Sequence, residues 1–197
     1  SDGRKLLFAR RTITGDGLSG NELWMIPDVT LETPQIVQLP PQNVRYAEWI
    51  PGTEDTIAYS TFEPQDVSPG WRALNDLWRI RVDPQTGEQI SIEQVLESSS
   101  TGLYSWWGTE FAWSNTGNRL AWVQAKGLGM VNLEEGTLGD PLIEYAELNP
   151  GITDWSWRAS VSWSPDNDLI ATVVHGPPIG EEPPANSPLF NAAVVAA

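Results

Sequence analysis

The sequence predicts an all-β protein: a β-propeller segment of about four blades, two complete and two partial, each blade a four-stranded antiparallel meander. Three observations carry this. The first is a recurring strand, polar turn and apolar strand. Trp163-Ser164-Pro165-Asp166-Asn167-Asp168 leads into Leu169-Ile170-Ala171-Thr172-Val173-Val174, and Trp113-Ser114-Asn115-Thr116-Gly117-Asn118-Arg119 leads into Leu120-Ala121-Trp122. Trp49-Ile50-Pro51-Gly52-Thr53-Glu54-Asp55 repeats it with one residue inserted, and Ser1-Asp2-Gly3-Arg4-Lys5-Leu6-Leu7-Phe8 is its second half. The second is the spacing: the equivalent positions Leu6, Ile57, Leu120 and Ile170 lie 51, 63 and 50 residues apart, which suits four strands per repeat. The third is that no stretch of ten or more residues keeps a 3.6-residue apolar period, so helical repeats and βαβ units have no support.

Taken in order, residues 1–40 read as a blade lacking its first strand. Residues 6–9 form one strand and Glu22-Leu23-Trp24-Met25-Ile26 the next. Gln35-Ile36-Val37-Gln38-Leu39 alternates apolar and polar residues, as an outer half-exposed strand does, and stops at Pro40-Pro41. Residues 41–100 form a complete blade. Its strands are 44–49, 56–60, Asp76-Leu77-Trp78-Arg79-Ile80-Arg81-Val82 and 89–95, with a long loop at 62–74 and a Pro and Gly turn at 83–88. Residues 101–150 form the second complete blade, with strands at 111–113, 120–123, 129–133 and 142–145. Residues 151–197 lack the last strand, and a Pro- and Glu-rich loop at 176–188 precedes the run 189–195.

Composition narrows the function classes. A chain of 197 residues with 40% hydrophobic content can bury a sizeable core. Its net charge of −15, with 11 basic against 26 acidic residues, argues against nucleic acid and anionic membrane surfaces as partners, since both need clustered Lys and Arg. No apolar run reaches the roughly 20 residues of a membrane span. The chain starts on a Ser and has no signal-like segment, which reads as a cut in a longer polypeptide. There is no cysteine, so neither a disulfide framework nor a thiolate metal site is expected.

The aromatic-Ser-Pro-Asp turn with its following apolar strand and acidic-Leu-Trp strand resembles the repeats of TolB-type (WD-like) β-propellers. The residues that carry it are Ser1-Asp2-Gly3-Arg4-Lys5-Leu6-Leu7-Phe8, Trp163-Ser164-Pro165-Asp166, Glu22-Leu23-Trp24 and Asp76-Leu77-Trp78. The longer turn at 52–55 and Asn115-Thr116-Gly117, which lacks the Pro-Asp pair, depart from it. The resemblance implies a non-catalytic interaction platform in an extracytoplasmic or cell-envelope protein. It also implies six or more blades in the complete propeller, so the missing blades of the same polypeptide are expected partners. Two alternatives remain open: the substrate-gating propeller of a larger prolyl-oligopeptidase-like hydrolase, and a carbohydrate-binding or glycosidase propeller.

In a meander, the loops between second and third strands share one end with the blade-to-blade connections. Here that end takes the long segments 12–20, 62–74, 98–108, 149–157 and 176–188, and long loops on a rigid scaffold are where binding sites sit. The candidate residues for a protein or saccharide partner are Trp71, Tyr104, Trp106, Trp107, Trp155 and Trp157, an aromatic set at that end. Trp24, Trp49, Trp78, Trp113, Trp122 and Trp163 lie in strands and are expected in the core, because burying about 150–250 Å² of indole contributes up to roughly 4–6 kcal/mol. No catalytic residues, cofactor or metal are expected. His175 is the single histidine and no Gly-x-Ser-x-Gly occurs, so a Ser-His-Asp triad cannot be built from these residues. Asp166, Asp168, Glu54 and Asp55 are more simply turn carboxylates that bond their own backbone than a calcium loop. The Asp-box spacing of sialidases and a Gly-rich phosphate loop are both missing.

Overall fold

A computed structural model describes residues 3–13, 17, 19–99, 108–124, 127–144 and 159–197. It contains four antiparallel sheets of three to five strands, a partial multi-bladed propeller. The first sheet runs β1 (Leu6–Ile13), β2 (Ser19–Ile26), β3 (Val37–Gln42). The second runs β4 (Val44–Trp49), β5 (Thr56–Pro64), β7 (Leu77–Val82), β8 (Gln89–Leu96), and β6 (Trp71–Ala73) also pairs with β5. The third holds β9 (Glu110–Trp113), β10 (Leu120–Gln124), β11 (Gly127–Asn132) and β12 (Thr137–Glu144), and the fourth β13 (Val161–Trp163), β14 (Leu169–His175) and β15 (Phe190–Ala196). The chain divides into two compact units, 1–100 and 101–197, each holding two sheets.

In the first unit the two sheets pack face to face. Leu23 and Met25 of β2 meet Ile57, Tyr59, Ile80 and Val82 of the second sheet, all at 5% exposure or less. Each large aliphatic side chain buried in this way contributes about 2 kcal/mol. The turn between β7 and β8 closes against this core at Gly87. Its φ of 75° and the Met25 sulfur 3.1 Å from where a Cβ would stand leave room only for glycine.

The acidic-Leu-Trp strand explains itself here. Residues i and i+2 share a face of a strand, so the acid accepts the indole N–H two residues on. Trp24 Nε1 donates to Glu22 at 3.0 Å and Trp78 Nε1 to Asp76 at 2.7 Å, while Leu23 and Leu77 point to the opposite face at 0% exposure. Across the strands Trp24 pairs with Phe8 and Trp78 with Tyr59. The third sheet does not keep the aromatic pair: Trp122 sits at the Tyr59 position, and Gly129 stands opposite it.

In the second unit Ala121, Val123 and Leu128 pack against Ile170, with Trp163 donating its indole N–H to the Ala112 carbonyl at 3.0 Å. The two Trp-led turns clasp each other. The Asn115 amide donates to Asn167 Oδ1 at 2.7 Å, Asn115 Nδ2 to the Ser164 carbonyl at 2.9 Å, and Arg119 to the Asn167 carbonyl at 2.9 Å. Asn167 holds φ 65°, a left-handed conformation that asparagine tolerates better than most residues.

Of the six strand tryptophans expected in the core, Trp113 and Trp122 are buried, Trp49, Trp78 and Trp163 are half-buried and pack against the core clusters, and Trp24 is half-buried with its indole N–H on Glu22. Two other expectations are corrected. Pro40-Pro41 does not end β3, which runs to Gln42. β3 is the outer edge of its sheet, where proline is tolerated, and its ladder to β2 shifts register around the two prolines, between Trp24–Gln38 and Glu22–Gln42; Pro141 sits likewise in outer strand β12, at a register shift opposite Gly129. Residues 62–74 are not an open loop, because β5 continues to Pro64 and pairs with β6.

Leu169, Ala171 and Val173 of β14 and Ala192 and Val194 of β15 share the other face of the fourth sheet, where Val194 is 61% exposed. The equivalent faces of the first and third sheets, with Leu23 and Met25 and with Ala121 and Leu128, are covered by the following sheet.

Candidate functional site

At the end of the first unit where β1 meets β2, the interface between its two sheets opens into a cleft of about 720 Å³. The leucine and methionine face of the β1–β2 hairpin turns polar there. Arg11 pairs directly with Asn21, and Ser19 follows on the same face. Arg11 Nη2 donates to Ser19 Oγ at 2.7 Å, and Asn21 Nδ2 to the Val44 carbonyl at 3.0 Å, which ties the first sheet to the second at the floor.

The second sheet supplies the other wall. Pro64 pairs with Trp71, and Gln65 N–H donates to the Gly70 carbonyl at 3.0 Å, closing the β5–β6 hairpin. Trp71 is half-buried. Its ring meets Phe62 edge-on at 6.3 Å and 70°, and the Arg45 guanidinium stands 5.7 Å from its centroid. Asp66 lines the same cleft. Among the described residues the site thus carries two guanidinium groups and an aromatic wall on strands, with one carboxylate, Asp66, in the turn between β5 and β6.

Of the aromatic set expected at the long-loop end, Trp71 lies in this cleft. Tyr104, Trp106, Trp107, Trp155 and Trp157 lie outside the described residues. Sequence reasoning missed Arg11, Asn21, Arg45 and Phe62 because it followed tryptophans. A signal existed for Arg45: counting four back from the repeated Trp gives Arg45, Thr109 and Ala159, and the latter two are buried at 2% and 3%. A charged residue where the repeat buries small ones marks a local departure from the scaffold.

A second cleft of about 750 Å³ lies at the turn end of the same unit, between Arg4, Asp28, Trp49, Glu54 and Pro84. Lys5 bridges it, donating to the Glu54 carbonyl at 2.6 Å and standing 5.6 Å from the Trp49 centroid. Among the described residues, its two basic side chains face two acidic ones.

The turn carboxylates bond their own turns. Ser164 Oγ and the Asp168 amide donate to Asp166, Thr30 donates twice to Asp28, and the Gln85 and Thr86 amides donate to Asp83. Hydrogen bonds from Ser164, Thr30 and the Thr86 amide, in that order of residue, hold these three acids below the ordinary carboxylate value of 3.8, and Thr56 with Arg81 does the same for Asp55. A depressed folded value adds stability that is fully present above 3.8 and is lost as pH falls below 3.8 through the lower folded value. Burial raises Glu48 above 4.5, the opposite sign, so that single group loses stability as pH rises. We expect the urea midpoint at about pH 3 to lie below that at about pH 5; equal midpoints would contradict the turn bonds.

His175 Nδ1 lies 2.8 Å from the Ser187 carbonyl and its ring 4.8 Å from Phe190; it anchors the 176–189 segment. Among the described residues no group of three or more His, Asp or Glu could hold a metal, and no helix is long and apolar enough to cross a membrane.

No family model matches the chain, and no curated protein matches it. Among solved structures it is similar to the β-propeller domain of the Trilobed protease from Pyrococcus furiosus, with 12% identity and a TM-score of 0.50, over 92% of this chain and 49% of that one. At that identity the likeness shows the fold: these residues are a β-propeller segment, and they span about half the length of that structure.

Proposed function

We propose that these residues belong to the propeller of a larger prolyl-oligopeptidase-like hydrolase, in which the propeller admits and orients peptide substrates for a catalytic domain carried elsewhere in the polypeptide. The supporting observation is the structural likeness to a propeller domain that belongs to a protease. The Arg11, Arg45 and Trp71 cleft agrees with it, because it gives the long-loop end a place to hold a peptide. The polypeptide with its flanking sequence tests the reading. Fluorophosphonate is expected to label a serine outside these residues, and short fluorogenic peptides to be cleaved. A polypeptide that takes no label and cleaves no peptide contradicts it.

That second outcome would favour the TolB-type reading: a non-catalytic platform for protein partners in an extracytoplasmic or cell-envelope protein. The acidic-Leu-Trp strands and the Trp163 turn support that reading. A saccharide platform is less well supported, since Arg45 and Phe62 already stand against the Trp71 ring that would stack on a sugar.

A further inference from the structure

We propose that the cleft between the first two sheets binds a carboxylate group carried by a peptide. This rests on the reading of that cleft as the recognition site and names what it recognises. The chain as a whole is acidic, with 26 Asp and Glu against 11 Lys and Arg. Among the described lining residues of the cleft the balance reverses, with Arg11 and Arg45 against Asp66. A surface that repels anions elsewhere thus offers them one place to settle.

The geometry suits a carboxylate. A guanidinium carries five N–H donors in one plane, a fork that matches the two oxygens of a carboxylate. The Arg45 guanidinium carbon stands 5.7 Å from the Trp71 ring centroid, within cation–π range. Arg11 spends one donor on Ser19 and is steadied by it. Asn21 is already committed to the Val44 carbonyl, so it fixes the floor and does not compete. Trp71, half-buried, leaves part of its indole as apolar surface for the residue that carries the carboxylate. The volume, about 720 Å³, is that of a site for a drug-sized ligand or a short peptide end.

Two sources supply the same group, a peptide C-terminus and an acidic side chain. The test uses the full 197-residue chain and calorimetry with three probes: acetyl-Ala-Phe-Ala as the free acid, its C-terminal amide, and acetyl-Ala-Phe-Glu-amide. The free acid or the glutamate peptide is expected to bind at least about tenfold more tightly than the plain amide, and whichever of the two binds names the source. Arg45→Gln with Arg11→Gln should remove that preference. Asp66→Asn should strengthen acid binding by about two- to fivefold by removing the opposing charge, a gain that a purely structural role for these residues would not produce. Binding of both the free acid and the glutamate peptide no tighter than that of the plain amide, an unchanged preference in the double variant, or no binding by any probe overturns the proposal. Fluorophosphonate labelling of the larger polypeptide without any acid preference here would leave the hydrolase reading standing and remove this one alone.

Discussion

Replacing Asp76 with alanine is expected to lower the stability of the first unit by about 3 kcal/mol, read as a drop in the urea midpoint followed by tryptophan emission. Asp76 is 2% exposed, and three donors converge on it. The Thr61 amide donates at 2.7 Å, the Thr61 hydroxyl at 2.5 Å and the Trp78 indole N–H at 2.7 Å. Alanine strands three part-buried donors at once, and each unsatisfied group costs about 1–3 kcal/mol, offset in part by no longer burying a charge. Asp76→Asn keeps one oxygen and should fall between. Glu22 occupies the same place in the first sheet but is only half-buried and, among the described residues, accepts the Trp24 indole alone. Glu22→Ala should therefore cost no more than about 1 kcal/mol. Equal losses at the two sites would mean that the motif's acid does not act through the donors it gathers.

Gly129→Ala should destabilise the second unit by about 2–3 kcal/mol, a large effect for one methyl group. A Cβ there would stand 2.6 Å from two carbons of the Trp122 ring. The ring cannot swing away, because it is 2% exposed and its N–H donates to the Gly139 carbonyl at 3.2 Å. The contact predicts its own remedy. In a Trp122→Leu background the same glycine substitution should cost well under 1 kcal/mol, since the atoms it meets are gone. Additive losses in the double variant would place the strain somewhere other than this ring.

These two positions also show what the sequence made legible. The repeat spacing was enough to predict four sheets, because every blade must bury the same kind of face at the same interval. The acidic-Leu-Trp strand was visible as a motif, but its cause, a carboxylate placed to accept an indole two residues on, needed coordinates. In the third sheet the tryptophan moved to the neighbouring strand and left Gly129 behind, so matching residue types along the chain could not align it. Pro40-Pro41 misled for a related reason: proline stops a strand only where its N–H would be needed, and edge position is a tertiary fact. The cleft was least legible. Trp71 stood out as an aromatic at the long-loop end, whereas Arg11 and Arg45 lie far apart in sequence and meet only because two blades share a face.

Sedimentation velocity on the 197-residue chain tests the central claim, that these residues are a run of blades whose faces need neighbours. Leu169 at 43%, Val173 at 37% and Val194 at 61% exposure form an apolar sheet face that in the first and third sheets is covered by the next blade. Species heavier than the 21.7 kDa chain are expected, growing with concentration and lost in a Val173→Lys, Val194→Lys variant. A single 21.7 kDa species that melts cooperatively at a midpoint independent of concentration would contradict it.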